Sequence, residues 1–303
     1  ARIRLKLAMD YWCALWFWPL DQARLLPSRD EWLFELSMVL GDLESSLEAD
    51  EGQLRLLPDT QPKQLAVDFS DRHGYLNKAT LLEEFPRLTL VEASAKKQRF
   101  LHWDLEFADV LTGGGFDLIV GNPPWLKVEW EEKGIIGDVD PMVLVRKLSA
   151  SDLAKLRSEA FADHPDLNAA YLEEYVGQAG SQAFLNALQN YPLLEGSKAN
   201  LYKCFLPHAW RIASEQGVQG FLHPEGVYDD PKGGALREVL YGRLRNHFQF
   251  ENELILFPIG GTRRFAINIY GHPRQPSFIH LANVFAPKVI DSCFSHDGKG
   301  MVP

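Results

Sequence analysis

Apolar residues occur along this chain at helical spacing in some stretches and as short continuous runs in others, a mixture that predicts an α/β protein. Residues 2–18 and 30–47 have helical spacing, and a proline-punctuated connection separates them, with Ser28 or Asp30 as the candidate cap of the second helix. Residues 48–80 have little periodicity and are expected to be irregular. A short helix with extended pieces is predicted for the stretch that follows, up to residue 110.

One short apolar run ends more abruptly than the others. It belongs to a strand predicted over residues 116–121, and its composition is typical of a buried parallel strand. The chain then reads Asn122-Pro123-Pro124-Trp125. Two successive prolines lack N–H groups and hold φ at about −65°, so a sheet cannot continue through them. A polar amide, a rigid turn and a large aromatic side chain therefore stand where a strand stops.

Downstream of this strand, the pattern predicts helices and then further strands. Residues 126–198 are acidic and helical, without a strand signal. An amphipathic helix is predicted over 200–215, with Phe205 in its apolar stripe and Gly217 as its stop. The order of strand, helix and strand that follows suits a doubly wound sheet. These last elements are predicted strands at 218–222, 253–257 and 265–270 and a helix over 233–245.

The tetrapeptide after the first strand has the groups needed to hold a planar ring with an exocyclic amino group, such as adenine. The side-chain oxygen of Asn122 and the carbonyl of Pro123 could accept hydrogen bonds from both N–H bonds of that group. The Pro123-Pro124 step restricts the backbone and would keep the two acceptors in a fixed relation. Trp125 offers a flat face for stacking, worth roughly 1–3 kcal/mol per base. A base in a duplex must be flipped out to reach such a pocket.

The alternative interpretation of the same residues is structural. It takes them as a strand followed by a proline-rich turn, with Trp125 in the core. The full context of apolar strand, glycine, asparagine, two prolines and an aromatic residue favours the functional interpretation, because ligands in open α/β sheets bind at the carboxyl ends of strands.

These residues resemble the amino-methyltransferases that use S-adenosylmethionine, whose catalytic motif is Asn/Asp-Pro-Pro-aromatic. Upstream, the run from His102 to Val110 is rich in aromatic and acidic residues. Together with residues 116–125, this run resembles the large adenine-specific DNA methylases of type IIG restriction–modification enzymes and related phage-defence systems. Residues 200–205 and 217–224 resemble the next helix and the next core strand of that family.

The resemblance implies an enzyme that uses S-adenosylmethionine to methylate the exocyclic amino group of adenine in DNA, within a restriction–modification or defence system. The expected substrate is double-stranded DNA with the adenine flipped out, and other defence-system subunits are expected as partners. The resemblance implies catalytic roles for Asn122, Pro123, Pro124 and Trp125, with Trp125 stacking on the base.

The resemblance also implies a Rossmann-like class I methyltransferase sheet with helical insertions. That fold needs a glycine-rich turn and an acidic residue for the cofactor, and in the family both precede the catalytic motif. Upstream of residue 116 no strand–Gly-x-Gly turn occurs, and Gly113-Gly114-Gly115 is interpreted as a loop. We therefore expect a partial sheet whose first strands are missing from this chain, which begins with Ala1. Asp104 and Asp109 are the residues from which cofactor contacts are expected.

Composition and cysteine content narrow the class of protein. The chain has 303 residues, 46% of them apolar and 24% charged, as in ordinary globular proteins. Cys13, Cys204 and Cys293 are widely separated and no Cys-x-x-Cys pair occurs, so neither a metal site nor a disulfide framework is indicated, and a cytoplasmic location is expected. The aromatic-rich stretch 7–20 is too short to span a bilayer, and no membrane partner is expected.

The net charge of −10 argues against a protein that coats nucleic acid non-specifically, but a local basic patch could still bind DNA. The basic region is either such a patch or a solvated helix face with a loop. On the first interpretation Lys232, Arg263 and Arg264 are expected to bind the substrate. The densest basic region comprises Lys232, Arg237, Arg243, Arg245, Arg263 and Arg264.

These observations predict four segments in the chain. They are a helical and irregular N-terminal segment, the catalytic strand and motif, a helical insertion, and a C-terminal part of the methyltransferase core that leads toward a target-recognition region. In that order they cover residues 1–98, 99–126, 127–198 and 199–303.

Two alternatives to DNA methylation remain open. Asn-Pro-Pro-aromatic also occurs in enzymes that methylate a glutamine amide in proteins or a base in RNA, and the acidic composition suits a protein substrate. The second alternative is a non-catalytic structural or DNA-contacting fragment of a defence complex.

Overall fold

The computed structural model describes residues 1–41, 69, 76–197 and 200–295. Most of the irregular segment predicted over 48–80, and the last residues of the helix predicted to 47, lie outside the described residues. None of the helices in the described ranges is long and apolar enough to cross a membrane.

The chain divides into two compact units, Ala1–Phe107 with Trp130–Ser181 and Ala108–Glu129 with Gln182–Pro303. The four-segment division made from the sequence stays a prediction.

The strands are β1 (Phe116–Gly121), β2 (Ala213–Pro224), β3 (Leu244–Glu251), β4 (Arg264–Tyr270) and β5 (Ile279–Val284). The α-helices are α1 (Arg2–Ala14), α2 (Arg29–Leu40), α3 (Lys78–Glu84), α4 (Pro86–Gln98), α5 (Trp103–Glu106), α6 (Ala108–Thr112), α7 (Glu132–Gly137), α8 (Met142–Val145), α9 (Ala150–Asp163), α10 (Pro165–Asn186), α11 (Leu201–Ile212), α12 (Gly226–Asp229), α13 (Gly234–Arg243) and α14 (Lys288–Ser295).

The first unit buries apolar side chains from four of its helices in one core. The side chain of Ser28 caps α2 in a reciprocal pair with Glu31, and Gly41 ends the helix in the left-handed conformation. The extended pieces predicted between residues 80 and 110 are wrong, because successive helices occupy this stretch. The fully or nearly fully buried members of the core include Leu7, Tyr11, Met38, Val39, Leu81, Leu88 and Val91.

The second unit contains a mixed five-stranded sheet with the order β1-β2-β4-β3-β5. Strand β1 is parallel to β2 and β3 is parallel to β5, whereas β4 is antiparallel to both of its neighbours. The protein is therefore mixed α/β, with an arrangement compatible with a methyltransferase fold. The helices predicted over 126–198 are present in the described residues.

Strand β1 has the predicted bounds and the predicted parallel partner, but it is not buried. It lies at the edge of the sheet, where Leu118 is 65% exposed and Val120 is 75% exposed. Ile119 packs on the core from the opposite face of the strand. Gly115 and Gly217 allow β1 and β2 to approach closely at their start, since a Cβ on either would lie within 2.7 Å of backbone atoms of the neighbouring strand.

Several element boundaries differ from the sequence prediction. Gly217 does not stop a helix: it lies inside β2, next to an irregularity in the β1–β2 register. The strand predicted at 253–257 is wrong, because a 3-10 turn and a left-handed Ile255 follow Asn252. The strand lies earlier, as β3. In α11, Phe205 is exposed and does not belong to the buried face. That face carries Cys204, Leu206, Ala209 and Ile212, so the predicted amphipathic helix is present.

Candidate active site at the carboxyl edge of the sheet

The motif leaves the sheet at the end of β1. In the parallel register Gly121 lies opposite Phe221, so β1 and β2 end at the same edge of the sheet. Asn122 is exposed and Pro123 is buried. An exposed amide on a buried proline step is a fixed polar group at the position where open α/β sheets bind ligands.

Trp125 is half-buried and packs against the core of the second unit. Its indole N–H donates a hydrogen bond of 3.3 Å to the carbonyl oxygen of Leu222 in β2. Its ring lies 5.8 Å from the ring of Phe257 and 5.9 Å from that of Phe265, measured between centroids. In the structure, Trp125 thus has the packing role of the structural alternative, and it anchors the end of the motif to the neighbouring strand.

The chain after the motif is held against the start of α11. The backbone N–H of Leu201 donates to the carbonyl oxygen of Leu126 at 2.9 Å, and Lys127 forms an antiparallel bridge with Asn200. Asn200 is the N-cap residue of α11, and its side-chain oxygen is buried without a hydrogen-bond partner in the described part of the chain. This bridge brings Lys127 and Asn200 to the wall of one cavity.

The cavity has a volume of about 880 Å³ and opens beside the carboxyl end of β2. Its lining carries more positive than negative groups, although the chain as a whole is acidic. A locally positive concave surface favours an anionic ligand such as a phosphate backbone. The acidic lining residues are Glu225, Asp229 and Asp230. The basic lining residues are Lys127, Lys203, Lys232, Arg263 and Arg264.

The three substrate-binding residues predicted from the sequence come together in this lining. Lys232 follows α12, whereas Arg263 and Arg264 lie at the start of β4, which is paired with the end of β2. The antiparallel pairing of β2 with β4 explains why residues distant in sequence meet here. The structure places these residues together, and their role in binding stays a prediction.

Arg237 of the predicted basic region donates to the backbone carbonyl oxygen of Asp230, which lines the cavity. Two further members lie elsewhere. Arg243 and Arg245 flank the start of β3, where Leu244 is paired with Tyr270, and Arg264 is paired with the other end of the same strand. An eight-residue strand separates the two groups by roughly 20 Å. The six basic residues therefore do not form a single patch.

One wall of the cavity is fixed by a buried ion pair. Lys203 of α11 donates to the carboxylate of Asp230, and their side chains are only 10% and 18% exposed. The hydrogen bond from Lys203 lowers the pKa of the Asp230 carboxyl. The backbone N–H of Lys232 donates to the same carboxylate at 2.9 Å. The predicted binding residue Lys232 is thereby positioned by the ion pair.

A second wall is the loop that precedes β4. Asn252 is fully buried, and its amide nitrogen donates to the carbonyl oxygens of Phe257 and Ile259 at 3.0 and 2.9 Å. Its side-chain oxygen accepts from the N–H of Phe257 at 3.1 Å. These bonds shape the loop from within, so that Thr262 and Arg263 reach the cavity.

Glu225 is a second hydrogen-bonded acidic group of the lining. Its two carboxylate oxygens accept from Nε2 of His247 at 3.0 Å and from Nε2 of Gln249 at 2.8 Å. Burial alone would raise the pKa of the Glu225 carboxyl, but these hydrogen bonds outweigh it and lower the pKa. The sequence analysis missed Glu225, Lys127 and Lys203. A usable signal for Glu225 was its place directly after Pro224, where β2 ends.

The two residues from which cofactor contacts were expected lie on separate helices. Asp104 lies on α5 in the first unit and Asp109 on α6 in the second, and both are exposed. Neither lines the cavity. Gly114 and Gly115 have left-handed φ angles and form the predicted loop, but Gly115 is packed on the backbone of Ala213. The cofactor contacts expected from Asp104 and Asp109 stay a prediction.

Part of the chain matches a known protein family. The family model of the Eco57I restriction-modification methylase matches residues 21–161, a range that includes the whole motif from Asn122 to Trp125. Less than half of the chain is covered. A comparison with curated proteins finds no match. The family match supports a methyl-transferring enzyme of the restriction–modification type, and the resemblance noted over residues 199–270 lies outside the matched range.

Proposed function

We propose that this chain supplies the catalytic strand and part of the DNA-binding surface of an enzyme that methylates the exocyclic amino group of adenine in DNA. The observation that carries the proposal is the position of Asn122-Pro123-Pro124-Trp125. It stands at the carboxyl end of a parallel strand, two residues before Lys127 in the wall of a cation-lined cavity, and within the residues that match a restriction–modification methylase.

In this proposal the residues of the chain bind and orient the substrate. The Asn122 side-chain oxygen and the Pro123 carbonyl accept the two N–H bonds of the amino group, which turns its lone pair toward the methyl donor. Trp125 supports the motif through its bond to Leu222, and any stacking uses the part of its ring that remains exposed. The rate gain comes mainly from positioning.

The cavity beside the motif is proposed to receive the DNA backbone. Lys232 and Arg263 are exposed and both line the cavity, where they suit phosphates of a strand that passes the motif. Their positive charge on an acidic chain favours nucleic acid over a protein substrate at this surface. S-Adenosylmethionine is the proposed methyl donor, and its binding residues are proposed to lie outside this cavity.

The test is methyl transfer from labelled S-adenosylmethionine to unmethylated genomic DNA, with the complete natural protein that contains this chain. We expect label in adenine as N6-methyladenine after digestion of the DNA to nucleosides. Parallel reactions with RNA and with a glutamine-containing protein extract test the other substrates. Label in RNA or protein with none in DNA would overturn the proposal.

A further inference from the structure

We propose that the loop after β3 inserts an apolar wedge into the base stack of the DNA duplex and fills the space that the flipped adenine leaves. The wedge consists of Leu254, Ile255 and Leu256, which we call the apolar tip. The inference rests on the proposed function, because an adenine must leave the stack before its amino group can reach Asn122 and Pro123. It comes from three apolar side chains that are exposed on an internally braced loop.

The apolar tip leaves the sheet at the same edge as the motif. Strand β1 is parallel to β2, and β4 is antiparallel to both β2 and β3, so β1, β2 and β3 all run in one direction. The loop after β3 then returns to the motif, where the ring of Phe257 lies 5.8 Å from the ring of Trp125 between centroids. The chain from Leu254 to Phe257 spans at most about 11 Å, so the apolar tip is held close to the end of the motif.

The exposure of the apolar tip marks it as a contact surface. Leu254 and Ile255 are each 60% exposed, and Leu256 is 40% exposed. Single apolar residues are common on protein surfaces, but three in succession form a continuous apolar surface, which marks an interaction site. Leucine and isoleucine are among the side chains that proteins insert between base steps. A flipped nucleotide stays attached to its strand, so the space that it leaves lies next to the pocket that receives its base.

The loop is braced from within, as a wedge requires. The buried side chain of Asn252 hydrogen-bonds with the carbonyl oxygens of Phe257 and Ile259 and with the N–H of Phe257. Ile255 has a φ of 50° and a ψ of 46°, in the left-handed region that β-branched residues rarely adopt. Its N–H donates to the carbonyl oxygen of Asn252 at 2.9 Å. Such strain persists where the surroundings fix it, and a preorganised tip loses little conformational freedom when it enters the stack.

Basic residues beside the apolar tip favour a nucleic acid as its partner. The N–H of Asn252 donates to the carbonyl oxygen of Arg263 at 3.2 Å and joins the two ends of the loop. Arg263 is exposed and lines the cavity, and Arg264 next to it is paired with Glu251 at 2.6 Å. A duplex has an apolar base stack inside and phosphates outside, so one molecule meets both the tip and the cations. Glu253, which precedes the tip, is exposed, so the phosphate contacts are assigned to the cavity and not to the tip.

The first experiment measures whether the apolar tip is needed only when the target adenine is paired. The complete natural protein is compared with its double variant Leu254→Gln with Ile255→Asn, since asparagine tolerates the left-handed conformation. The methylated sequence is first read from genomic DNA that the wild type has methylated. On a duplex with this sequence, we expect the variant to transfer methyl groups about tenfold more slowly. On the same duplex with a mismatch opposite the adenine, which lowers the cost of flipping, the two rates should agree within about threefold.

A second readout does not depend on methyl transfer. The fluorescence of 2-aminopurine, placed at the target adenine, rises when the base leaves the stack. Without a methyl donor, the variant should raise this fluorescence by less than about half as much as the wild type does. Leu188→Gln changes an exposed leucine of the same unit that does not line the cavity, and this matched control should behave like the wild type. Melting curves check folding, and Ile255→Asn alone replaces the double variant if that variant does not fold.

Failure of the wedge and failure of the proposed function give different results. If the wild type methylates DNA and the variant keeps its full rate on the paired duplex, the wedge is wrong and the proposed function stands. The same holds if the variant is slowed equally on the paired and the mismatched duplex. A variant that keeps its rate but changes the oligomeric state of the protein without DNA would assign the tip to a protein contact instead. If the wild type transfers no methyl group to DNA, both are wrong.

Discussion

The indole N–H of Trp125 donates to the carbonyl oxygen of Leu222, and this bond connects the end of the Asn-Pro-Pro-Trp motif after β1 to the neighbouring strand β2. We expect Trp125→Ala to lower the free energy of unfolding of the second unit by about 2–4 kcal/mol, because it removes a ring that packs against both Phe257 and Phe265. Trp125→Phe keeps most of the packing and should cost about 1 kcal/mol for the lost hydrogen bond. Urea denaturation measures both. Equal losses for the two variants would contradict the packing role.

Asn122→Ala should lower the rate of methyl transfer while leaving the stability of the protein nearly unchanged. The side chain is exposed, so the free energy of unfolding should change by less than about 0.5 kcal/mol. Loss of a preorganised hydrogen-bonding group at the reacting nitrogen should lower the rate of methyl transfer about 100-fold or more. Asn168→Ala, at an exposed position of α10, is the matched control. Near-normal methylation by Asn122→Ala would rule out the proposed role of the motif.

Lys203→Met should destabilise the second unit, because it leaves the largely buried carboxylate of Asp230 without its partner. The expected loss is about 3 kcal/mol, as for other buried ion pairs that lose one member. The double variant Lys203→Met with Asp230→Asn should lose less, since no unpaired charge remains. Chemical denaturation of the two variants and the wild type checks this order. A double variant that is less stable than the single one would contradict it.

Lys232→Gln and Arg263→Gln should each weaken DNA binding without regard to sequence, since both are proposed to contact phosphates. The slope of log affinity against log salt should become less steep by about one for each lost contact. Fluorescence anisotropy with two unrelated duplexes across a salt series measures this. Lys96→Gln on α4 provides an exposed control outside the cavity. Unchanged slopes in both cavity variants would remove the cavity from the DNA interface.

The first unit should be sensitive to acid through Asp10. Burial alone would raise the pKa of Asp10, but its hydrogen bonds with His102 and Lys6 outweigh it and lower the pKa below the ordinary value of 3.8. A lowered folded pKa contributes stability that is present above pH 3.8 and is lost as the pH falls through the lower folded value.

His102→Asn should therefore destabilise the first unit at neutral pH and reduce the further loss on acidification. Denaturation curves at pH 7 and at pH 3 for this variant and the wild type measure the difference. His164→Asn changes an exposed histidine of the same unit and should leave both values near those of the wild type. Equal acid sensitivity in His102→Asn and the wild type would show that Asp10 does not carry the effect.

The parts of the site that could be predicted are those that depend on neighbouring residues in the sequence. A continuous apolar run that stops at two prolines determines both the bounds of β1 and the place of Asn122. Strand β3 was missed. Its polar residues His247 and Gln249 hydrogen-bond with Glu225 instead of with solvent, so the strand lacks the alternation of buried apolar and exposed polar residues that marks a half-buried strand.

The composition of the cavity could not be predicted in the same way. Lys203 lines the cavity from helix α11, and Glu225 lines it from the end of β2. Arg263 lies next to them because β4 is paired antiparallel with β2. That pairing reverses the direction expected for a doubly wound sheet. No local pattern encodes which strand lies next to which, so only the three-dimensional arrangement brings these charges together.

Strand β1 shows Leu118 and Val120 to solvent at the edge of the described sheet, and such a strand is a template for the addition of another one. The fraction of this chain that is monomeric should therefore fall through self-association as its concentration rises. A lysine in place of Val120 should counter this, because charge on an edge strand opposes pairing between molecules. The strand that ends in the proposed catalytic asparagine is thus also the one that limits how concentrated a sample can be kept.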